Sequence, residues 1–187
     1  MIVYNGLFSH KDIFSGCGAI LYSTLVSHSI WSYGEFFDSY GELDMDAINE
    51  HLDECKDENG VSYIELPYYT YSTLSSTLEM TERNVRYIIK DLQEGKYIVD
   101  DGIYCSKWLI NSGYTKIVKG TTLKGWQLVF YSLLKDRANY FGGSIDTWAS
   151  RLAKLFSTTT NNVYFLISTL KKKGYVYRAK NGRLVVR

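Results

Sequence analysis

The chain has 187 residues, 45% of them hydrophobic and 16% aromatic, which is enough apolar side chain for one ordinary domain or two small ones with packed cores. Its net charge of +1 hides a division: residues 120–187 hold twelve Lys/Arg against Asp136 and Asp146, whereas residues 1–119 hold nine Lys/Arg against eighteen Asp/Glu. The apolar content excludes a basic disordered tail, and so much positive charge on about 70 residues points to a polyanionic partner, of which nucleic acid is the commonest.

Along the chain, the first long apolar stretch runs from Cys17 to Trp31. Ser23, Thr24, Ser27, His28 and Ser29 interrupt it, so it is too short and too polar for a bilayer span. The N-terminus lacks the basic region and small-residue cleavage site of a secretory signal, and a soluble cytoplasmic protein without membrane association is expected.

Residues 30–66 follow as an acidic insert, within which the stretch from Glu35 to Glu58 holds ten of the chain's twenty acids. Leu43, Met45, Ile48, Asn49 and Leu52 fall at near-helical spacing and predict a short acidic helix packed on one side. Its acids read as a solvated face; the alternative is a surface that docks on a partner or screens the basic C-terminal domain as a DNA mimic. His51 and Cys55 stand four apart and could face one metal ion, but two ligands do not complete a tetrahedral site, and no metal is expected. Cys17, Cys55 and Cys105 are odd in number and widely spaced, as expected of thiols in a reducing compartment.

From Leu74 the chain begins a pattern that returns 78 residues later. Leu74-Ser-Ser-Thr-Leu-Glu-Met-Thr-Glu-Arg-Asn-Val85 matches Leu152-Ala-Lys-Leu-Phe-Ser-Thr-Thr-Thr-Asn-Asn-Val163, and Ile89, Leu92 and Tyr97-Ile98 meet Ile167, Leu170 and Tyr175-Val176. In each copy a short helix ends near Leu78 or Phe156, a capping Thr81 or Thr159 follows, and a second helix carries one apolar stripe. The stripes are Val85, Ile88, Ile89 and Leu92, then Val163, Leu166, Ile167 and Leu170. This is the pattern of a helix-turn-helix.

After each second helix comes a hairpin signal. Tyr97-Ile98-Val99 precedes Asp101-Gly102, and Tyr175-Val176-Tyr177 precedes Asn181-Gly182 with Leu184-Val185-Val186 returning; Asp-Gly and Asn-Gly predict two-residue turns. An upstream helix also recurs, since Ile20, Tyr22-Ser23 and Leu25 reappear as Val129, Tyr131-Ser132 and Leu134 at an offset of 109. A stretch rich in Gly, Ser and Thr, Asn111 to Thr122, is the expected linker.

The pattern resembles the winged helix-turn-helix superfamily through Leu152-Ala153, Thr159, Val163, Leu170, Gly174 and Val176. The first copy carries it through Leu74, Thr81, Val85, Leu92 and Ile98, with Lys96 at the glycine position and the glycine moved to Gly95. Asp57 to Ile64 also looks like the strand approach of phage and plasmid replication-initiation winged helices. The resemblance implies a mainly helical α+β protein of two tandem winged-helix domains, 1–115 with the insert at about 30–66, and 120–187.

In that superfamily the second helix enters the major groove and the hairpin, or wing, meets backbone or minor groove. The expected DNA-binding residues of the C-terminal copy are Thr159, Thr160, Asn161, Tyr164 and Ser168, with phosphate-directed charge from Arg151, Lys154, Lys171, Lys172, Arg178, Lys180 and Arg183. Arg83, Arg86 and Lys90 make a basic stripe in the N-terminal copy, but Asp100-Asp101 and Glu79, Glu82, Asp91 and Glu94 surround it. DNA contact there competes with a protein contact or homodimer interface.

No phosphate-cradling glycine loop, nucleophile elbow or paired metal-binding histidines occur, so no enzymatic activity, catalytic residue or cofactor is expected. The expected function is binding of double-stranded DNA, in transcription regulation or replication initiation of a phage or plasmid. The alternative is a protein-interaction module, a phage-type inhibitor or adaptor on the same scaffold.

Overall fold

The computed structural model describes residues 1–33, 36, 37, 42–146 and 148–187; Glu35 and Asp38 of the acidic insert lie outside them. The fold is α+β and mainly helical, with small antiparallel sheets. It divides into two compact units: Met1 with Gly18–Gly113, and Ile2–Cys17 with Tyr114–Arg187. The boundary therefore falls inside the first helix, α1 (Gly16–Ser32).

In the first unit, α1 is buried on nearly every side from Ala19 to Ser27, apolar residues and small hydroxyls alike. Its small hydroxyls return to the helix backbone: Thr24 Oγ1 donates to the Ile20 carbonyl and Ser27 Oγ to that of Ser23, each at 2.7 Å. The insert then forms α2 (Met45–Glu54), capped by Asp44, whose carboxylate accepts from the amides of Asp46 and Ala47. Ile48 and Leu52 are buried, while Asp46, Glu50, Asp53 and Glu54 are exposed, so α2 is packed on one side. Asp53 holds Lys56 at 2.6 Å and also Lys107, and these partners, Lys107 foremost, keep its carboxyl below the usual range.

Strand β2 (Tyr63–Glu65) precedes α3 (Tyr71–Leu78), α4 (Glu82–Glu94), β3 (Ile98–Val99) and β4 (Gly102–Tyr104). β4 lies between the other two strands, so Ile103 pairs with Ile64 on one side and Ile98 on the other, and all three are buried. Val85, Ile88, Ile89 and Leu92 of α4 are buried as their spacing predicts. Thr81 caps α4 by accepting from the Asn84 amide. A short helix, α5 (Lys107–Asn111), closes the unit.

The second unit draws on both ends of the chain. β1 (Ile2–Tyr4) pairs antiparallel with β5 (Tyr114–Lys116), Val3 opposite Thr115, and Thr115 Oγ1 donates to Asn5 Oδ1 at 2.8 Å. A 3₁₀ turn, Asn5–Ser9, then delivers Phe8 into an aromatic cluster, 5.0 Å from the Phe156 ring centre and 6.4 Å from that of Trp126. Trp126 Nε1 donates to the Phe14 carbonyl at 3.1 Å. A Cβ on Gly16 would fall 2.1 Å from the Trp126 backbone nitrogen, so only glycine permits this approach. The expected division put residues 2–17 in the first domain; strand pairing and Phe8 instead group them with Tyr114–Arg187. The expected linker likewise holds the end of α5 and all of β5, with Thr115 and Ile117 buried.

The rest of this unit is α6 (Gly125–Tyr140), β6 (Ser144–Ile145), α7 (Ala149–Leu155), α8 (Thr160–Lys172), β7 (Val176–Arg178) and β8 (Leu184–Val186). Its sheet order, β6-β8-β7, repeats the first unit's β2-β4-β3: the strand before the helix pair joins the last strand, and the middle strand is at the far edge. The 78-residue register extends to backbone conformation. Glu79 and Ser157, after α3 and α7, both take left-handed φ, 52° and 45°.

Two turn expectations are corrected. The glycine of the helix end has not moved to Gly95. Lys96 itself takes the left-handed φ, 59°, that Gly174 takes at 79°, and both helices end in the same bond pair, Tyr97 N to Leu92 O with Lys96 N to Gln93 O, and Tyr175 N to Leu170 O with Gly174 N to Lys171 O. Gly95 has φ −78°; a Cβ there would sit 3.0 Å from the Tyr97 ring. The hairpin turns also shift. Val99 pairs with Gly102, so the first turn is Asp100-Asp101. In the second, Ala179 N bonds Arg183 O and Gly182 N bonds Ala179 O, which makes a three-residue loop, Lys180-Asn181-Gly182, with Gly182 left-handed.

Candidate nucleic-acid interface

From Ala149 to the C-terminus the chain has nine Lys/Arg and no Asp/Glu. This stretch is α7, α8 and the β7–β8 hairpin, so the charge is carried by the helix pair and hairpin rather than by α6 or the β1–β5 ribbon.

α8 places its residues by simple geometry. Val163, Leu166, Ile167 and Leu170 are buried, and at about 3.6 residues per turn the pole opposite them carries Asn161, Phe165, Ser168 and Lys172. All four are exposed. Tyr164 and Lys171 stand on one flank with Thr160 half-buried above them, and Asn162 and Thr169 stand on the other. The structure therefore brings Asn161, Ser168 and Lys172 together, with Tyr164 and Lys171 beside them. Thr159 plays a different part: its hydroxyl is the helix cap and accepts from the Asn162 amide at 3.2 Å, while Asn162 Nδ2 donates to Thr158.

Phe165 escaped the sequence reading. It is 63% exposed at the centre of the outward stripe, where a hydrophobic ring faces water. The signal was available in the spacing, since Phe165 lies four residues from Asn161 and three from Ser168, but its apolar character directs it to the core in any hydropathy-led reading. The register partner on α4, Tyr87, is 53% exposed as well, so both second helices hold an aromatic ring at the same outward position.

The remaining cations separate into groups. Lys180 is exposed at the hairpin loop, and Arg178 donates to the Gly182 carbonyl at 3.2 Å while staying exposed. Arg183 turns back onto the sheet: Nη2 donates to the Ser144 carbonyl at 3.1 Å and Nε lies 3.5 Å from Asp146 Oδ1. It ties β8 to the segment carrying β6. Lys154 is exposed on α7, and the Arg151 guanidinium lies 5.9 Å from the Trp148 ring centre.

The α4 cations are engaged on their own unit. Arg83 donates to the Tyr87 hydroxyl, Arg86 pairs with Glu82 at 3.7 Å and lies 4.1 Å from the Tyr71 ring centre, and Lys90 pairs with Glu94 at 3.3 Å. With Asp100-Asp101 forming the hairpin turn, this unit's second helix and hairpin lack the uniform positive character of α8 and β7–β8.

Among the other sequence candidates, His51 and Cys55 do meet on α2, Nε2 to Sγ 3.3 Å, and burial foremost raises the Cys55 thiol. Among the described residues no group of three or more His, Cys, Asp or Glu is placed to hold a metal ion. Burial pushes Cys105 up to about 12, so its thiol is protonated at neutral pH. No helix of the described residues is long and apolar enough to cross a membrane. No protein-family model, curated protein or solved structure matches this chain.

Proposed function

We propose that the protein binds double-stranded DNA as a pair of tandem winged helix-turn-helix units, with α8 and the β7–β8 hairpin as the principal reading head. The observation that carries this is the acid-free stretch 149–187, whose second helix presents Asn161, Phe165, Ser168 and Lys172 outward. Asn161 can take adenine in a bidentate way, and an exposed Phe165 fits a thymine methyl. Lys171, Lys172, Arg178 and Lys180 supply phosphate contacts that position the helix without reading sequence. Regulation of transcription or initiation of replication on a phage or plasmid are the roles that fit, in the cytoplasm and without catalysis. The first unit, its α4 cations paired internally, serves a homodimer or a protein partner.

A second reading, a protein-interaction module such as an inhibitor or adaptor, is favoured by the exposed rings of Tyr164 and Phe165, since aromatic side chains anchor protein interfaces. The test is a titration of the whole chain against a random duplex library across a salt series, with sequencing of the retained fraction. DNA binding predicts a steep salt slope, about −0.9 per neutralised phosphate, and an enriched motif. Absence of binding at low salt would leave the protein-partner reading.

A further inference from the structure

Away from the α8 stripe, the second unit has a groove of about 490 Å³ between the end of α6, β6 and the start of α7. That size is within the range of small-ligand sites. Among the described residues, Arg137, Arg151 and Arg183 line it against a single acid, Asp146, and Asp146 is already committed to Arg183 at 3.5 Å. Phe141 and Trp148, 54% and 64% exposed, share the wall with Ile145, Leu152 and Leu155. None of Asn161, Phe165, Ser168 and Lys172 belongs to it.

The composition of this groove narrows its occupant. A site for a simple anion has no need of two exposed rings, and an apolar site would not carry three guanidiniums. The combination suits a ligand that is planar and aromatic at one end and multiply anionic at the other. Arg binds phosphate oxygens with two parallel N–H donors, and a nucleobase stacks on an aromatic face whatever its identity. The Arg151 guanidinium, 5.9 Å from the Trp148 ring centre, puts both chemistries side by side. Arg183, held by the Ser144 carbonyl and Asp146, fixes the wall and leaves Arg137 and Arg151 as the guanidiniums that face a ligand.

We infer that this groove binds one unpaired nucleotide, its base against Trp148 and its phosphate between Arg137 and Arg151. The site is distinct from the duplex reading head, so a strand end or a displaced nucleotide could be held on the same unit that grips duplex DNA.

Tryptophan fluorescence and calorimetry on the whole chain test this with four probes: thymidine 5′-monophosphate, inorganic phosphate, a single-stranded oligothymidylate of about eight residues, and a blunt duplex. The expected result is saturable binding of the monophosphate or the single strand, little response to inorganic phosphate, and about tenfold weaker binding in Trp148→Ala and in Arg137→Gln. The two variants should bind the blunt duplex within about twofold of the parent. A single strand that binds while the monophosphate does not identifies a strand nucleotide as the ligand; comparable binding of both identifies a free nucleotide. Because Arg137 is exposed on α6, its variant reports even if Trp148→Ala folds poorly. Binding of inorganic phosphate as tight as that of the nucleotide, or no response to either nucleotide probe with duplex binding intact, overturns the inference and leaves the duplex proposal standing. Parallel loss of duplex binding in Arg137→Gln overturns it too, because the groove would then be part of the duplex interface.

Discussion

The Lys11 ammonium donates to the backbone carbonyl of Phe156 and lies 4.0 Å from the centre of the Phe156 ring, a contact between residues 145 apart in sequence. It also donates to Phe8 O at 2.7 Å and to Ser157 O at 3.2 Å. Phe156 is the residue that ends α7 and Ser157 the left-handed residue that turns the chain toward α8. A cation from the N-terminal segment thus takes up the carbonyls of the two residues that follow α7, at the end where the helix dipole also favours positive charge. The angle at which α8 leaves α7 is held partly by a residue outside both helices.

Lys11→Met keeps most of the stem over the ring and removes the donors. It should cost about 1.5–3 kcal/mol, as for hydrogen bonds that involve a charged group, read as a lower urea midpoint with an unchanged slope. An unchanged midpoint would mean that water replaces the ammonium at no cost.

The same side chain sets a pH dependence. Burial pushes the Lys11 amine down to about 8 from 10.5. Between those values the unfolded chain binds more protons than the folded one, so the contribution of Lys11 to stability rises with pH across the window. The stability gap between the parent and Lys11→Met should widen from pH 8 to pH 10. A gap that narrows instead would show that the three carbonyls hold the ammonium charged against its burial.

Phe8→Ala removes a fully buried ring from the cluster with Trp126 and Phe156 and should destabilise the second unit by about 3–5 kcal/mol. Hydrogen exchange is the suitable measurement, because the amides of α6, α7 and α8 should lose protection. If they keep it, residues 2–17 merely decorate a unit that is already complete.

Lys96 holds a left-handed φ of 59° where Gly174 serves the other unit. A side chain in that region costs about 1–2 kcal/mol, so Lys96→Gly should raise the thermal midpoint, an unusual gain from adding glycine. A lower midpoint would indicate that packing of the lysine stem outweighs the backbone strain.

The proposed reading head predicts variants that separate by mechanism. Lys171→Ala and Lys180→Ala should weaken binding alike on all sequences and flatten the salt slope, whereas Asn161→Ala and Phe165→Ala should reduce discrimination between sequences. Arg183→Ala should act chiefly on stability, since its guanidinium is spent on Ser144 and Asp146. A full phosphate-type change in the salt slope for Arg183→Ala, with stability unchanged, would return it to the DNA-facing set.

What the sequence determined by itself was local. The stripes of α4 and α8, the caps at Thr81 and Thr159 and the 78-residue register depend on spacings within one or two turns, and periodicity encodes these directly. The charge division is a property of composition and needs no coordinates. The outward position of Phe165 was also implicit in that periodicity, but hydropathy argued against it.

Only the tertiary structure decided the rest. β1 and β5 are three residues each and meet across more than half the chain, so neither carries a pattern that names its partner. Lys11 and Phe8 gain their roles from that pairing, which sets the 3₁₀ turn beside the end of α7. Lys96 looks like a lost glycine until the helix-end bonds show the same left-handed turn made at a cost, and Arg183 looks like a phosphate ligand until β8 places it over Ser144. In each case the deciding contact lies between segments that are distant in sequence or depends on a backbone torsion, and neither kind of information is written in the spacing of side chains.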